Sequence, residues 1–290
     1  MKTLKKSLFV VLTVFLSFAF FSIFAACSND TKEDDKGTTV TNKEGQGDPG
    51  TKTYFGTRAP TESKAVGDIV FSDGSATPYS EGLVLTSAQK SAAVAVIFYA
   101  GSVREILGQK ILGVGLVNTQ GEPNKTLAWA ATNTTEFTEI VIHTVILQPT
   151  DGTAYYKVGN YYLVGDFDGS DNWTKICELD TSANESAVTN YPAFNWINNY
   201  AATNLLTGDN ASGWYLPSVI ELIMLYNNKT VVNNALEKVG GTKMENTKYW
   251  SSNDCGGYWG YDAEYVDFSD GKYNPDSRSS GLSVCAIREF

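Results

Sequence analysis

Along this 290-residue chain the spacing of apolar residues changes period twice, and the order of those changes limits the fold more than any other feature. Up to residue 164 the apolar runs are short: GDIVF (67–71), AAVAVIFYA (92–100), ILGVGLV (111–117), TEIVIHTVIL (138–147) and YYKVGNYYLV (155–164). They are rich in β-branched and aromatic residues and bounded by Gly, Asp or Ser, as half-buried strands require. Helical spacing then takes over. Ala193, Trp196, Ile197 and Tyr200 fall at i, i+3, i+4 and i+7 behind Pro192, and Val219, Leu222, Ile223 and Tyr226 repeat that spacing. Ser218 with Glu221 has the form of a capping box, and a third stripe, Val232, Ala235, Leu236 and Val239, stops at Gly240-Gly241. All three stripes read as core.

After Tyr249 the alternation of a strand returns. Glu264, Val266 and Phe268 share one face, Ala263, Tyr265 and Asp267 the other, and Asp270-Gly271 supplies a turn. The closing LSVCAIREF is apolar on both faces, as in a strand covered on two sides. Strands, then helices, then strands predict an α+β domain with mixed or antiparallel sheets and two or three helices.

The N-terminus reads differently. Lys2, Lys5 and Lys6 precede an uncharged run from Leu8 to Phe24, then Ala25, Ala26 and Cys27, which is the pattern of a secretory signal peptide over residues 1–26. Phe-Ala-Ala-Cys resembles the lipobox of bacterial lipoproteins, and that resemblance implies lipidation of Cys27 and anchoring in the cell envelope, at the outer membrane or cell surface. From Ser28 to Lys52 the only aliphatic residue is Val40, too little to offset ordering entropy, so residues 27–53 read as the lipidated cysteine and a tether. Residues 54–290 read as one domain.

Removing residues 1–26 takes away three lysines and no acid, so the net charge of −10 becomes −13 over the 264 residues that follow. That balance argues against nucleic acid as a partner. Cys177, Cys255 and Cys285 admit three pairings in an oxidising compartment, and Cys255 with Cys285 is favoured because both lie in the C-terminal strand region. Such a loop would stabilise by ~3–4 kcal/mol.

WYLPSVIELIMLYNN, YWSS, EYVDFSDG and VCAIREF occur in that order over residues 214–290. Together they resemble the W-x-L-P-x-x-x-E-L, Y-W-S-S, V-x-F-x-x-G and V-R-x-x-x-F pattern of the Lcl C-terminal domain family, which belongs with bacterial surface domains of C-type lectin-like fold. GDIVFSDGS, AVAVIFY, ILGVGL and LAWA extend the resemblance towards residue 54, and Arg288 is the only arginine of the terminal motif. The resemblance implies a C-type lectin-like domain, related in fold to variable proteins of diversity-generating retroelements and to formylglycine-generating enzymes.

It also implies that the segment between helices and terminal strands forms a ligand-binding face. The stretch from Tyr249 to Tyr273 holds eight aromatics in twenty-five residues, interspersed with Gly, Asp, Ser and Asn. Trp250 and Phe268 read as core plugs. The candidate ligand contacts are Asn253, Asp254, Tyr258, Trp259, Tyr261, Asp262, Tyr265, Tyr273, Asn274 and Arg278, because rigid rings and short adaptable polar groups are the chemistry of recognition surfaces.

Other chemistry has less material. Asp166, Asp168 and Asp171 offer closely spaced oxygens for a hard cation such as calcium, yet Gly169 at the fourth position and Cys177 at the twelfth break the EF-hand pattern. Glu122-Pro123-Asn124 spells a tripeptide of calcium lectins but precedes the helices and lacks a following W-N-D. His143 is the only histidine and sits within an apolar run, so a Ser-His-Asp or Cys-His relay has no basis. The expectation is a membrane-anchored, non-enzymatic surface lipoprotein that binds a glycan or protein without a required cofactor. Its alternatives are a structural envelope protein and, remotely, a formylglycine-generating-type enzyme built on Cys285.

Overall fold

A computed structural model describes residues 53–122, 126–131, 144–146, 156–158, 161–254 and 262–290. The leader, Cys27 and the tether up to residue 52 therefore lie outside the described residues. Lys52–Phe290 forms one compact unit. No described helix is long and apolar enough to cross a membrane.

The first half contains β1 (Ile69–Phe71), β2 (Ala76–Thr77), α1 (Ser87–Ala92), β3 (Ala93–Ala100) and β4 (Ile111–Asn118), then β5 (Thr144–Ile146), β6 (Tyr156–Val158) and β7 (Tyr161–Gly165). Helices follow: α2 (Asn172–Leu179), α3 (Ala183–Asn190), α4 (Pro192–Asn198), α5 (Tyr200–Thr203), α6 (Val219–Asn227) and α7 (Lys229–Val239). The chain ends with β8 (Lys248–Asp254), β9 (Asp262–Asp267), β10 (Lys272–Ser277) and β11 (Cys285–Glu289). The class is α+β with antiparallel sheets, as the period changes predict.

Seven helices are found among the described residues where two or three were expected. The additional ones are short: α2 shows only one turn of stripe, Trp173, Ile176 and Cys177, and α3 has too few apolar residues to show one. Of α3 only Ala183 and Ala187 are buried.

The main sheet has strand order β11-β4-β3-β1-β2, so the last strand returns to pair with strands from the first half. β8, β9 and β10 form a second sheet in the order β10-β9-β8, and β5, β7 and β6 a third in the order β5-β7-β6. Residues of the main sheet alternate between two cores. Ile69, Phe71, Val96, Phe98, Cys285 and Ile287 face α6 and α7. Val70, Ala95, Ile97, Val284 and Ala286 face α4, α5, Trp129 and Trp250. This two-sided cover is why LSVCAIREF carries apolar residues at consecutive positions.

Local rules read from the sequence reappear as geometry. The Ser218 hydroxyl accepts from the Glu221 amide at 3.3 Å while the Glu221 carboxylate accepts from the Ser218 amide at 2.7 Å, closing the capping box of α6. Gly240 takes φ +76° and ends α7 in the left-handed region. At Gly115 in β4 the reason for glycine is space, since a Cβ there would collide with the Tyr200 hydroxyl. Tyr200 thus lies flat on the sheet, accepting from the Val117 amide at 3.3 Å.

Candidate functional site

β8 carries the sequence Lys-Tyr-Trp-Ser-Ser-Asn-Asp, and from Tyr249 to Asp254 every side chain is fully buried. Its polar groups are all engaged. Ser251 Oγ donates to the Glu264 carbonyl at 2.8 Å, and Ser252 Oγ accepts from Asn172 Nδ2 at 2.8 Å. Asn253 Oδ1 accepts from the Val219 amide at 2.8 Å, and its Nδ2 donates to the Asp166 carbonyl at 2.9 Å. One strand therefore fixes α2, the turn at Asp166 and the start of α6, and buried polar groups joined in this way specify a single arrangement.

Asp254, at 0% exposure, forms an ion pair with Arg278, which is 5% exposed. The guanidinium also lies 5.3 Å from the centre of the Trp129 ring, and the Trp129 indole donates to the Ser251 carbonyl at 2.9 Å. Asn253, Asp254 and Arg278, named above as candidate ligand contacts, are thus buried in the described structure. Tyr265, another candidate, is buried as well. It is 7% exposed, edge-on to Trp250 at 6.3 Å, and covered by the Lys248 ammonium 4.4 Å from its ring centre.

The remaining candidates divide. Asn274 is exposed on β10, and Asp262 at the start of β9 and Tyr273 on β10 are half-buried, with Tyr273 packed against the main core. Tyr258, Trp259, Tyr261 and Cys255 lie outside the described residues, as does His143. Asp254 and Ala263 are register partners, both at 0% exposure. Trp250 and Phe268 are both at 0% exposure, the core plugs they were expected to be.

Cys285 is a free, fully buried thiol within β11, and Cys255, its favoured partner, lies outside the described residues. Burial pushes its pKa well above the usual thiol range. The cation candidates meet lysines instead of one another. Lys175 pairs with Asp166 at 2.7 Å and with Asp171 at 2.9 Å, and Lys110 pairs with Asp168 at 2.6 Å. Burial alone would raise the Asp168 pKa, but hydrogen bonds from Lys110 and Ser170 hold it below the usual carboxylate range. Among the described residues no group of three metal-ligating side chains comes together.

Behind this turn sits Glu221, at 0% exposure, whose carboxylate accepts from Tyr215 Oη at 2.8 Å, the Ser218 amide at 2.7 Å and the Gly169 amide at 3.2 Å. Burial raises its pKa to about 7 against the opposing pull of those donors and of Lys110. The glutamate of the W-x-L-P-x-x-x-E-L pattern is therefore a buried junction between three segments.

Concave features lie elsewhere. A depression of about 270 Å³ is bounded by Ser170, Trp214 and Arg288. Arg288 is held there by Asn210 Oδ1 at 2.6 Å and by the Phe290 ring at 5.1 Å. A groove of about 320 Å³ runs beside α4 and α5, where Trp196 is half-buried and Val188 is 70% exposed. Trp196 was expected in the core stripe, and it does pack against that core. Sequence spacing missed its second, open side. Asn195, Asn199 and Thr203, spaced four apart beside it, are the signal that could have marked that side.

Compared with known proteins, the chain matches no family model and no curated protein.

Proposed function

We propose that this chain is a lipid-anchored, non-catalytic surface protein whose C-type lectin-like domain recognises a glycan or a protein through the 255–262 segment and the adjoining Tyr273 and Asn274. The observation that carries this reading is that the Tyr- and Trp-rich residues 255–261 connect two described residues held in the core, Asp254 by its buried ion pair with Arg278 and Ala263 by its own burial, and recognition residues are commonly carried on loops joined to a rigid scaffold. The return of β11 to pair with β4 supports the C-type lectin-like assignment, since it closes the domain by bringing its terminal strand beside the first ones. Burial of the Cys285 thiol supports the non-catalytic reading, because a nucleophile needs access and a reachable thiolate.

Glycan and protein arrays probed with the full chain, with and without calcium, test the proposal. Binding that is lost in Tyr258→Ala or Trp259→Ala, and weakened in Asn274→Ala, is expected. Binding unchanged in all three variants, or silence on both arrays, would favour an envelope component without a dedicated ligand.

A further inference from the structure

We infer that the groove along α4 and α5 is a second binding site, for a neutral sugar ring, with Trp196 as its platform. It does not depend on the function proposed above and uses none of the same residues. Pro192, Asn195, Trp196, Asn199 and Thr203 all line the groove, at i, i+3, i+4, i+7 and i+11 along consecutive helices. That spacing puts them on one face. The opposite face, Ala193, Phe194, Ile197 and Tyr200, is buried in the core, so the groove face is carried on a rigid support.

The chemistry of the face selects the ligand. Trp196 is tilted against the core aromatic Tyr200 at 5.5 Å, which fixes the ring while leaving it half-buried. An indole held this way offers a flat apolar surface of the kind that the C–H face of a pyranose covers, and Trp pairs a large apolar body with a polar handle. Around it stand groups that both donate and accept. Asn199 Nδ2 donates to the Asn195 carbonyl at 2.9 Å and to Asn195 Oδ1 at 3.2 Å, which orients both amides. Among the described residues, Asn195 Nδ2, Asn199 Oδ1 and the Thr203 hydroxyl have no protein partner, leaving one amide donor, one amide acceptor and one hydroxyl on residues that line the same groove.

A polyol presents alternating donors and acceptors that match such a set. The charge of the lining narrows the choice further. Among the described residues the lining carries one acid, Glu122, whose carboxylate opposes an anionic ligand. A volume of about 320 Å³ lies at the small end of ligand sites, suited to one or two rings.

The test titrates the full chain with methyl glucoside, methyl galactoside and methyl mannoside in the presence of a calcium chelator, read by saturation-transfer NMR. At least one should bind saturably with a Kd on the order of 1 mM, as a small ligand on an open site allows. Saturation should be strongest on the protons of one ring face. Trp196→Ala should weaken binding at least ~10-fold. Because Trp196 also packs on the core, Asn199→Ala and Thr203→Val, which change exposed side chains only, serve as controls for folding and should each weaken binding ~3–10-fold. Glucuronate should bind more weakly than methyl glucoside, and Trp259→Ala should leave the affinity unchanged. The inference is overturned if none of the three glycosides binds saturably, if binding is indifferent to both Asn199→Ala and Thr203→Val, or if glucuronate binds as well as the neutral sugar.

Discussion

Asp254 and Arg278 illustrate what a buried charge does to a single position. Both are buried, their side chains 0% and 6% exposed, and they form an ion pair. Arg278→Met is expected to cost about 3–5 kcal/mol by removing the guanidinium that faces a buried carboxylate, whereas the double variant Arg278→Met/Asp254→Leu should recover much of that loss. Urea denaturation of the three proteins measures it. Glu221 makes a different prediction because its folded-state pKa is raised from 4.5 to about 7. Between those values the folded chain holds a proton that the unfolded chain has released. The stabilisation from Glu221 is therefore complete below about pH 4.5 and is lost as the pH rises through about 7. Glu221→Gln should flatten this part of the stability profile, and unfolding curves collected across that range check it.

The elements depend on a few such positions. The capping box at Ser218 does double work, because its hydroxyl also donates to the Phe167 carbonyl at 2.7 Å and so ties α6 to the acidic turn. Ser218→Ala should lower stability by about 1–2 kcal/mol, a thermal-melt measurement. Gly115→Ala in β4 should cost about 1–3 kcal/mol by overpacking against Tyr200. Adding Tyr200→Phe should restore part of that, since the hydroxyl is the first atom the new methyl meets. Elements with a strong period were legible in advance: α6 and α7 were expected near 218–227 and 231–239, and β3 and β4 occupy their expected runs. The short α2 and α3 were not, because the stripe of α2 (Trp173, Ile176, Cys177) spans a single turn and α3 buries only two alanines, too little to set a period apart from its surroundings. Polarity misled at β8. Asn253 and Asp254 read as exposed ligand contacts, yet both are buried, Asn253 bonded to the Val219 amide and Asp254 paired with Arg278.

At the scale of the molecule, both faces of the main sheet are covered, and the final strand completes it. Folding of the Lys52–Phe290 unit should therefore need its last residues but not its first segment. A chain beginning at residue 53 is expected to melt within a degree or two of the full chain, and one lacking β11 should not fold at all; circular dichroism separates the outcomes. The proposed anchoring is tested separately, by asking whether Cys27→Ser moves the protein from the membrane to the soluble fraction.

Short-range physics is written in consecutive residues, so the amino-acid order alone determined the α+β class, the cap at Ser218, the stop at Gly240 and the burial of Trp250 and Phe268. Partnership between distant residues is not written there. Only the folded chain decided that Asp254 would meet Arg278, that three acids would each meet a lysine, and that Trp196 would keep one side open, because burial and charge pairing are set by what arrives from elsewhere in the chain.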